Sequence, residues 1–205
     1  MKPLVLLVHG YNVHDPEETV GKLRTFFETR GCETIIVNYG HVGLLLRETK
    51  RKNPKVAKQV AATVNNSKLL DASREVIVVG HSNGCAIINM ACRDFGAKID
   101  KVVYVNPALK TDLSPGCECH VWHSPSDSPV KWARRMHKIP FIRQLTPTRW
   151  GRMGSTGYRG SDVLVTNYNK EHDYIVSSKE HSDVFNWHLI AYFGPLIVNA
   201  VLSDD

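Results

Sequence analysis

No apolar run in the 205-residue chain approaches the ~20 residues that cross a bilayer. The first apolar stretch, Leu4–Val8, is short and no small-residue cleavage site follows, so it reads as a buried strand and not as a secretion signal. There is no pair of C-x-x-C motifs and no H-E-x-x-H, which removes the common zinc spacings. Among the ten histidines, His120 and His123 lie three apart on a predicted strand and point to opposite faces. No metal is expected. G-x-G-x-x-G and the phosphate-loop glycine pattern are also missing, which argues against a nucleotide site. No zinc finger, aromatic RNA-binding signature or basic heptad array is present, so no nucleic-acid partner is expected. Cysteine is scarce and odd in number, at five. Cys117 and Cys119 are too close in sequence for an unstrained disulfide, and Cys85 and Cys92 lie on the apolar side of a predicted helix. A reduced, cytoplasmic compartment is the expectation.

What remains is ordinary globular composition, 42% hydrophobic and 22% charged, in one domain over residues 1–205. The net charge is +6, and two basic clusters carry much of the excess. One comprises Arg47, Lys50, Arg51, Lys52, Lys55 and Lys58; the other comprises Lys131, Arg134, Arg135 and Lys138, continuing to Arg143, Arg149 and Arg152. Most such clusters are solvated faces. The functional alternative is attraction to an anionic partner or an anionic acyl ester.

Six short apolar runs read as strands: Leu4–Val8, Thr34–Asn38, Val76–Val79, Val102–Asn106, Cys119–His123 and Val163–Asn167. Most are continuous, as in a parallel sheet covered on both faces. Helical patterns alternate with them. Asp15-Pro16-Glu17-Glu18 opens one with a cap and a proline at its first turn, and Gly31 ends it. Asn53-Pro54 opens a second, with Val56, Val60 and Val64 on one side. A third runs from Asn83 to Gly96, and a fourth from Ser128-Pro129 to about His137. The last begins near Ser182 and kinks or breaks at Gly194-Pro195. The alternation predicts an α/β three-layer sandwich, a mostly parallel sheet of about six strands with helices on both faces. Residues 139–162 have no clean periodicity, and read equally as a lid or substrate-facing wall, with Trp150 and Tyr158 as apolar contacts, or as a mobile surface loop.

Gly80-His81-Ser82-Asn83-Gly84 stands between a predicted strand and a predicted helix. G-x-S-x-G in that setting is a sharp turn that strains its central residue and exposes the serine hydroxyl. Active sites in open α/β sheets form beyond the carboxyl ends of the strands. His9-Gly10-Tyr11-Asn12 follows the first strand, Ser82 the third, Ser124-Pro125-Ser126-Asp127 the fifth, and a segment holding His172 and His181 the sixth. The order is Ser, Asp, His. Neither His9 nor His81 is given a proton-transfer role; each is expected to hold a loop by hydrogen bonding.

On these motifs, nearly the whole chain resembles the α/β-hydrolase superfamily, in its compact lipase- or esterase-like form without a cap domain. The resemblance implies a serine hydrolase that cleaves carboxylic esters through an acyl-enzyme on Ser82, with no cofactor. It implies His181 as base, with His172 as second choice and His188 as structural. It implies Asp127 as the orienting acid, with Asp112 as fallback; helix capping is expected to fall to Ser128. The oxyanion donors would be the backbone N–H groups of Tyr11 and Asn83, with the Tyr11 and Asn12 side chains lining the pocket. The substrate would be a small-molecule or lipid ester, with an anionic one in keeping with the charge. A thioesterase or amidase uses the same machinery. A catalytically idle hydrolase fold that binds an anionic partner is the alternative of another class.

Overall fold

The computed structural model describes residues 1–11, 13–40, 46–137, 139–171 and 179–202. Six strands, β1 (Leu4–Val8), β2 (Glu33–Val37), β3 (Val76–His81), β4 (Lys101–Val105), β5 (Glu118–His123) and β6 (Val165–Asn169), form one sheet in the order β2-β1-β3-β4-β5-β6. Every neighbouring pair is parallel. The helices are α1 (Arg24–Glu28), α2 (Leu46–Leu70), α3 (Asn83–Phe95), α4 (Ser128–His137), α5 (Pro140–Leu145), α6 (Met153–Thr156) and α7 (Trp187–Val201).

The alternation of side chains along each strand builds two cores. Leu4, Leu6 and Val8 of β1 join Val56, Val60 and Val64 of α2 and Ile87, Ile88 and Ala91 of α3 on one face. Val5 and Leu7 join Leu23, Phe27 and the α7 residues Ile190, Phe193 and Ile197 on the other. β1, β3 and β4 are sandwiched between these layers, which is why they are continuous apolar runs. β2 at the sheet edge has no fully buried residue, and its sequence is correspondingly more polar.

Several boundaries differ from the sequence expectation. The first helical pattern, read from Asp15-Pro16 to Gly31, forms 3-10 turns at Pro16–Glu18 and Val20–Leu23 and becomes α-helical only over Arg24–Glu28. β6 begins two residues later than expected, at Val165. α2 begins at Leu46 and runs through Pro54 instead of opening there. An interior proline removes one helical hydrogen bond at a cost of about 3 kcal/mol. Here the continuous apolar face of α2 against α3 and the hydrogen bonds of buried Asn53 offset that loss. α7 likewise continues past Gly194-Pro195 to Val201, because Ile197, Val198 and Val201 are buried against the sheet. Its start is split from a 3-10 turn at Asp183–Phe185 by the extended backbone of Asn186. Residues 139–162, without periodicity in sequence, contain α5 and α6 and put Trp150, Met153 and Tyr158 into the first core. All five cysteines are free thiols. Among the described residues no helix is long and apolar enough to cross a membrane.

The β3–α3 turn packs directly under β1. A Cβ at Gly84 would press on the Val8 carbonyl oxygen and come within 2.6 Å of the His9 carbonyl oxygen, both backbone atoms that cannot swing away. Gly84→Ala is therefore expected to lower the unfolding free energy by about 3 kcal/mol, the upper range for overpacking. Urea unfolding measures it, and a loss under about 0.5 kcal/mol would contradict this packing.

Candidate active site

β3 ends at His81 and α3 starts at Asn83, so Ser82 alone makes the turn between them. Its backbone lies at φ 53, ψ −116, a conformation that costs a non-glycine residue roughly 1–3 kcal/mol. Three backbone bonds hold it there: Ser82 N–H donates to Val105 O at 3.0 Å, and Ser82 O accepts from Ala108 N–H at 3.1 Å and from Cys85 N–H at 3.2 Å. The turn thus hangs on the end of β4. Ser82 is 8% exposed and opens onto a cavity of about 180 Å³. Among the described residues its hydroxyl forms no hydrogen bond.

His181 lines the same cavity. Its Nδ1 lies 3.0 Å and 2.9 Å from the two carboxylate oxygens of Asp127. A carboxylate partner assigns the proton to Nδ1, which leaves Nε2 as the ring's acceptor. Asp127 is fully buried. It also accepts from Asn106 Nδ2 at 2.8 Å and from Val130 N–H at 3.1 Å. Burial pushes its carboxyl upward, but the His181 hydrogen bond and charge, with the Asn106 and Val130 donors, outweigh burial and hold it below its ordinary value. The Val130 bond corrects the expectation about capping. Asp127 caps α4 as well as holding His181, while the Ser128 hydroxyl donates to Ser126 O.

Two residues at the end of β6 tether the loops that carry this pair, and sequence reasoning passed over both. Glu171 accepts from Ser126 N–H at 2.5 Å and sits against the Ser124 hydroxyl, gripping the loop that leads to Asp127. Lys170, fully buried, places its ammonium 3.8 Å from Asp183, whose other oxygen accepts from the Lys179 and Glu180 N–H groups just before His181. Burial drives the Lys170 ammonium down to about 8, against the upward pull of Asp183, Asp127 and Glu171. A lysine so buried carries no sequence signal, since lysines are almost always exposed. His81 holds the other side, with Nε2 3.0 Å from the His181 carbonyl oxygen. Burial, with His181 beside it, drives the His81 imidazole down to about 3, so it is a neutral donor there.

A second network lies under the loop after β1. His9 Nδ1 is 2.8 Å from Gly10 O, its Nε2 accepts from Tyr39 N–H at 3.3 Å, and the two rings stack at 3.9 Å. The Tyr39 hydroxyl lies against the His9 and Gly10 carbonyls and takes a 3.3 Å bond from the Asn83 amide. The Asn83 and Asn53 side chains exchange bonds at 2.9 and 3.1 Å, and Trp150 Nε1 donates to Asn83 Oδ1 at 2.8 Å. His9 and His81 thus hold loops, as expected of them. Asn53 was read as a helix start; its spacing to Val56 and Val60 would have placed it on the inner face. Trp150 brings the 139–162 segment onto the first residue of α3 and packs edge-on to Tyr11 at 5.8 Å.

The cavity is walled mainly by Leu46, Ala108, Pro129, Val130, Trp132 and Trp150, with Ser82, His181 and Tyr11 as its polar members. Asp112 makes no hydrogen bond to His181, and His188 is exposed on α7. Asn12 and His172 lie outside the described residues.

Because the folded-state Lys170 is lowered from 10.5 to about 8, the unfolded chain binds more protons between those values, and stability gains from this residue as pH rises through that window. Lys170→Met removes the linkage. The unfolding free energy of the parent relative to Lys170→Met is expected to be higher at about pH 10 than at about pH 7. Denaturant titrations at both values check it; a difference independent of pH would mean that Lys170 is not held charged against burial.

No family model matches the chain, and no curated protein matches it by sequence. Solved structures do match it. Est1E from Butyrivibrio proteoclasticus, in a structure with ferulic acid bound, has a TM-score of 0.60 at 14% identity, over 98% of this chain and 90% of that one. A structure described as an alpha-beta serine hydrolase homologue from Coxiella burnetii gives 0.58 at 12%, over 97% and 85%. Mouse alpha/beta hydrolase domain-containing protein 10 gives 0.56 at 11%, over 98% and 90%. Likeness over nearly the full length of both partners, on a six-stranded parallel sheet flanked by helices, assigns this chain the α/β-hydrolase fold in a compact form.

Proposed function

We propose that the chain is a serine hydrolase that cleaves carboxylic esters. The observation that carries this reading is the buried Asp127–His181 pair, whose imidazole opens onto the same cavity as the strained Ser82 turn. A serine hydroxyl is nearly unreactive at neutral pH without a base. His181, with its proton on Nδ1 toward Asp127, has Nε2 available to accept the Ser82 proton as Oγ attacks the acyl carbon. The alkoxide collapses to an acyl-enzyme, the leaving alcohol takes that proton from His181, and water activated by the same imidazole releases the acid.

Charge developing on the carbonyl oxygen needs fixed donors. The backbone N–H of Asn83, at the start of α3, has no intrahelical partner by position, and the N–H of Tyr11 is the second proposed donor across the cavity. The Asn53, Tyr39 and Trp150 bonds to the Asn83 side chain keep that residue from shifting during reaction. A cavity of about 180 Å³ is smaller than the roughly 300–1,000 Å³ that encloses a drug-sized ligand, and its walls are apolar, which favours a short acyl group or the first carbons of a longer one. Pro129, Val130 and Trp132 of α4, with Trp150, wall it on one side, and we assign these four side chains the role of substrate-facing wall.

Hydrolysis of p-nitrophenyl esters of increasing acyl length is expected to be fastest for short chains and to disappear in Ser82→Ala. A fluorophosphonate should label the parent and not that variant; equal labelling of both would remove Ser82 from the mechanism. His181→Ala is expected to lower kcat by about 10²–10⁴ with the fold intact. Matching thioester and anilide substrates in the same assay separate an esterase from a thioesterase or amidase.

A further inference from the structure

The rim of the cavity carries features that ester chemistry at its floor does not require. Trp132 of α4 lines the cavity and is still 56% exposed. Ile139 and Phe141, at the start of α5, are 47% and 72% exposed. Single exposed apolar residues are normal, but three large ones within ten residues, on two helices that pack against each other and one of which lines the cavity, form a patch. The surroundings are basic. From Leu46 to Lys58 of α2, and across α4 and α5, the sequence has ten Lys or Arg and one acid, Glu48. Lys50 bonds the Gln144 carbonyl oxygen at 2.7 Å, so the basic start of α2 is fastened to α5. Arg47, Lys50 and Arg51 line a cleft with Glu48, Gln144 and Leu145 there, next to Leu46, which lines the catalytic cavity; Glu48 pairs with Arg51 at 3.2 Å and leaves Arg47 and Lys50 as the cleft's excess charge. Lys131 and Arg135 are exposed on α4 on either side of Trp132 in sequence.

We propose that this rim docks on the surface of an anionic phospholipid membrane. Large apolar side chains among lysines and arginines are what an interfacial segment presents: the apolar groups enter the headgroup boundary while the cations meet acidic lipids. The near absence of acids distinguishes the patch from an ordinary solvated face, where both signs are interspersed. Docking in this orientation sets the cavity mouth on the lipid, with Trp132 continuous between the bilayer and Ser82. The inference deepens the esterase reading by naming where the ester is presented, but the docking itself rests on the surface alone.

The test is co-sedimentation of the full chain with phosphatidylcholine vesicles, alone or with about 30 mol% phosphatidylserine. Binding is expected only with the acidic lipid and is expected to weaken with salt. Ile139→Ser/Phe141→Ser should reduce it at least about tenfold, as should Lys131→Glu/Arg51→Glu, while both leave hydrolysis of a short water-soluble ester within about twofold. Failure to sediment with acidic vesicles overturns the proposal. So does sedimentation that the apolar variant leaves unchanged, which would be bare electrostatic capture. Competition of inorganic phosphate for hydrolysis without any vesicle binding would assign the basic cleft to a small anion and also overturns it. Vesicle binding without ester turnover leaves docking standing and fells the esterase reading; turnover without vesicle binding does the reverse.

Discussion

The Asp127 carboxylate is the constraint around which the functional end of the sheet is arranged. A buried charge without partners costs several kcal/mol, so every nearby element is held to the geometry that satisfies it. His181 comes from the loop before α7, the Asn106 amide from the end of β4, and the Val130 N–H from the first turn of α4. Asn106 serves by taking φ 45, which asparagine tolerates better than most residues. A Cβ at Gly154 in α6 would sit 3.0 Å from the same carboxylate, so that helix also approaches as closely as it can. One side chain thereby joins four segments distant in sequence.

The tethers around this pair follow a common logic of charge placement. Glu171 and Lys170 are adjacent at the end of β6, yet one grips the Asp127 loop and the other, through Asp183, the His181 loop. The Lys170 ammonium is also near enough to Asp127 for each to favour the charged form of the other. His81 supplies the opposite kind of support. Kept neutral by burial, it places a donor on the His181 carbonyl without adding a second cation beside the imidazole proposed as base. The ring is flanked by His81, and His81 in turn packs edge-on to Phe185, so its position rests on the second core.

Much of this was legible in the sequence where one local rule decided the outcome. The strands appeared as apolar runs because both faces of the sheet are covered, and Gly80 and Gly84 marked the turn because a Cβ at either would collide with Ile88 or with the Val8 carbonyl. Legibility failed where tertiary contacts override local preference. Pro54 and Pro195 each stand inside a helix because the apolar faces that continue beyond them are buried. Asp127 looked like a residue with one job, since a cap and a partner for histidine are alternatives in one dimension; its two oxygens serve both in three. Lys170 and Tyr39 were silent because their importance lies in which distant groups they meet, and nothing in their neighbours records it.

In the proposed mechanism, the cap at Asp127 also couples chemistry to selectivity. α4 begins at the residue after the carboxylate, and within its first turns Pro129, Val130 and Trp132 reach the cavity wall. The helix cannot rotate or slide without drawing the Val130 N–H away from Asp127, and a carboxylate that loses a buried donor turns or rises in pKa, either of which loosens its hold on His181. A change in the acyl group of the proposed substrate that pushes on Val130 or Trp132 is therefore transmitted to the orientation of the proposed base. In this architecture a substrate that fits the wall badly is handled badly by the proposed base, even where Ser82 can reach it, because the wall and the histidine are positioned by the same two oxygens.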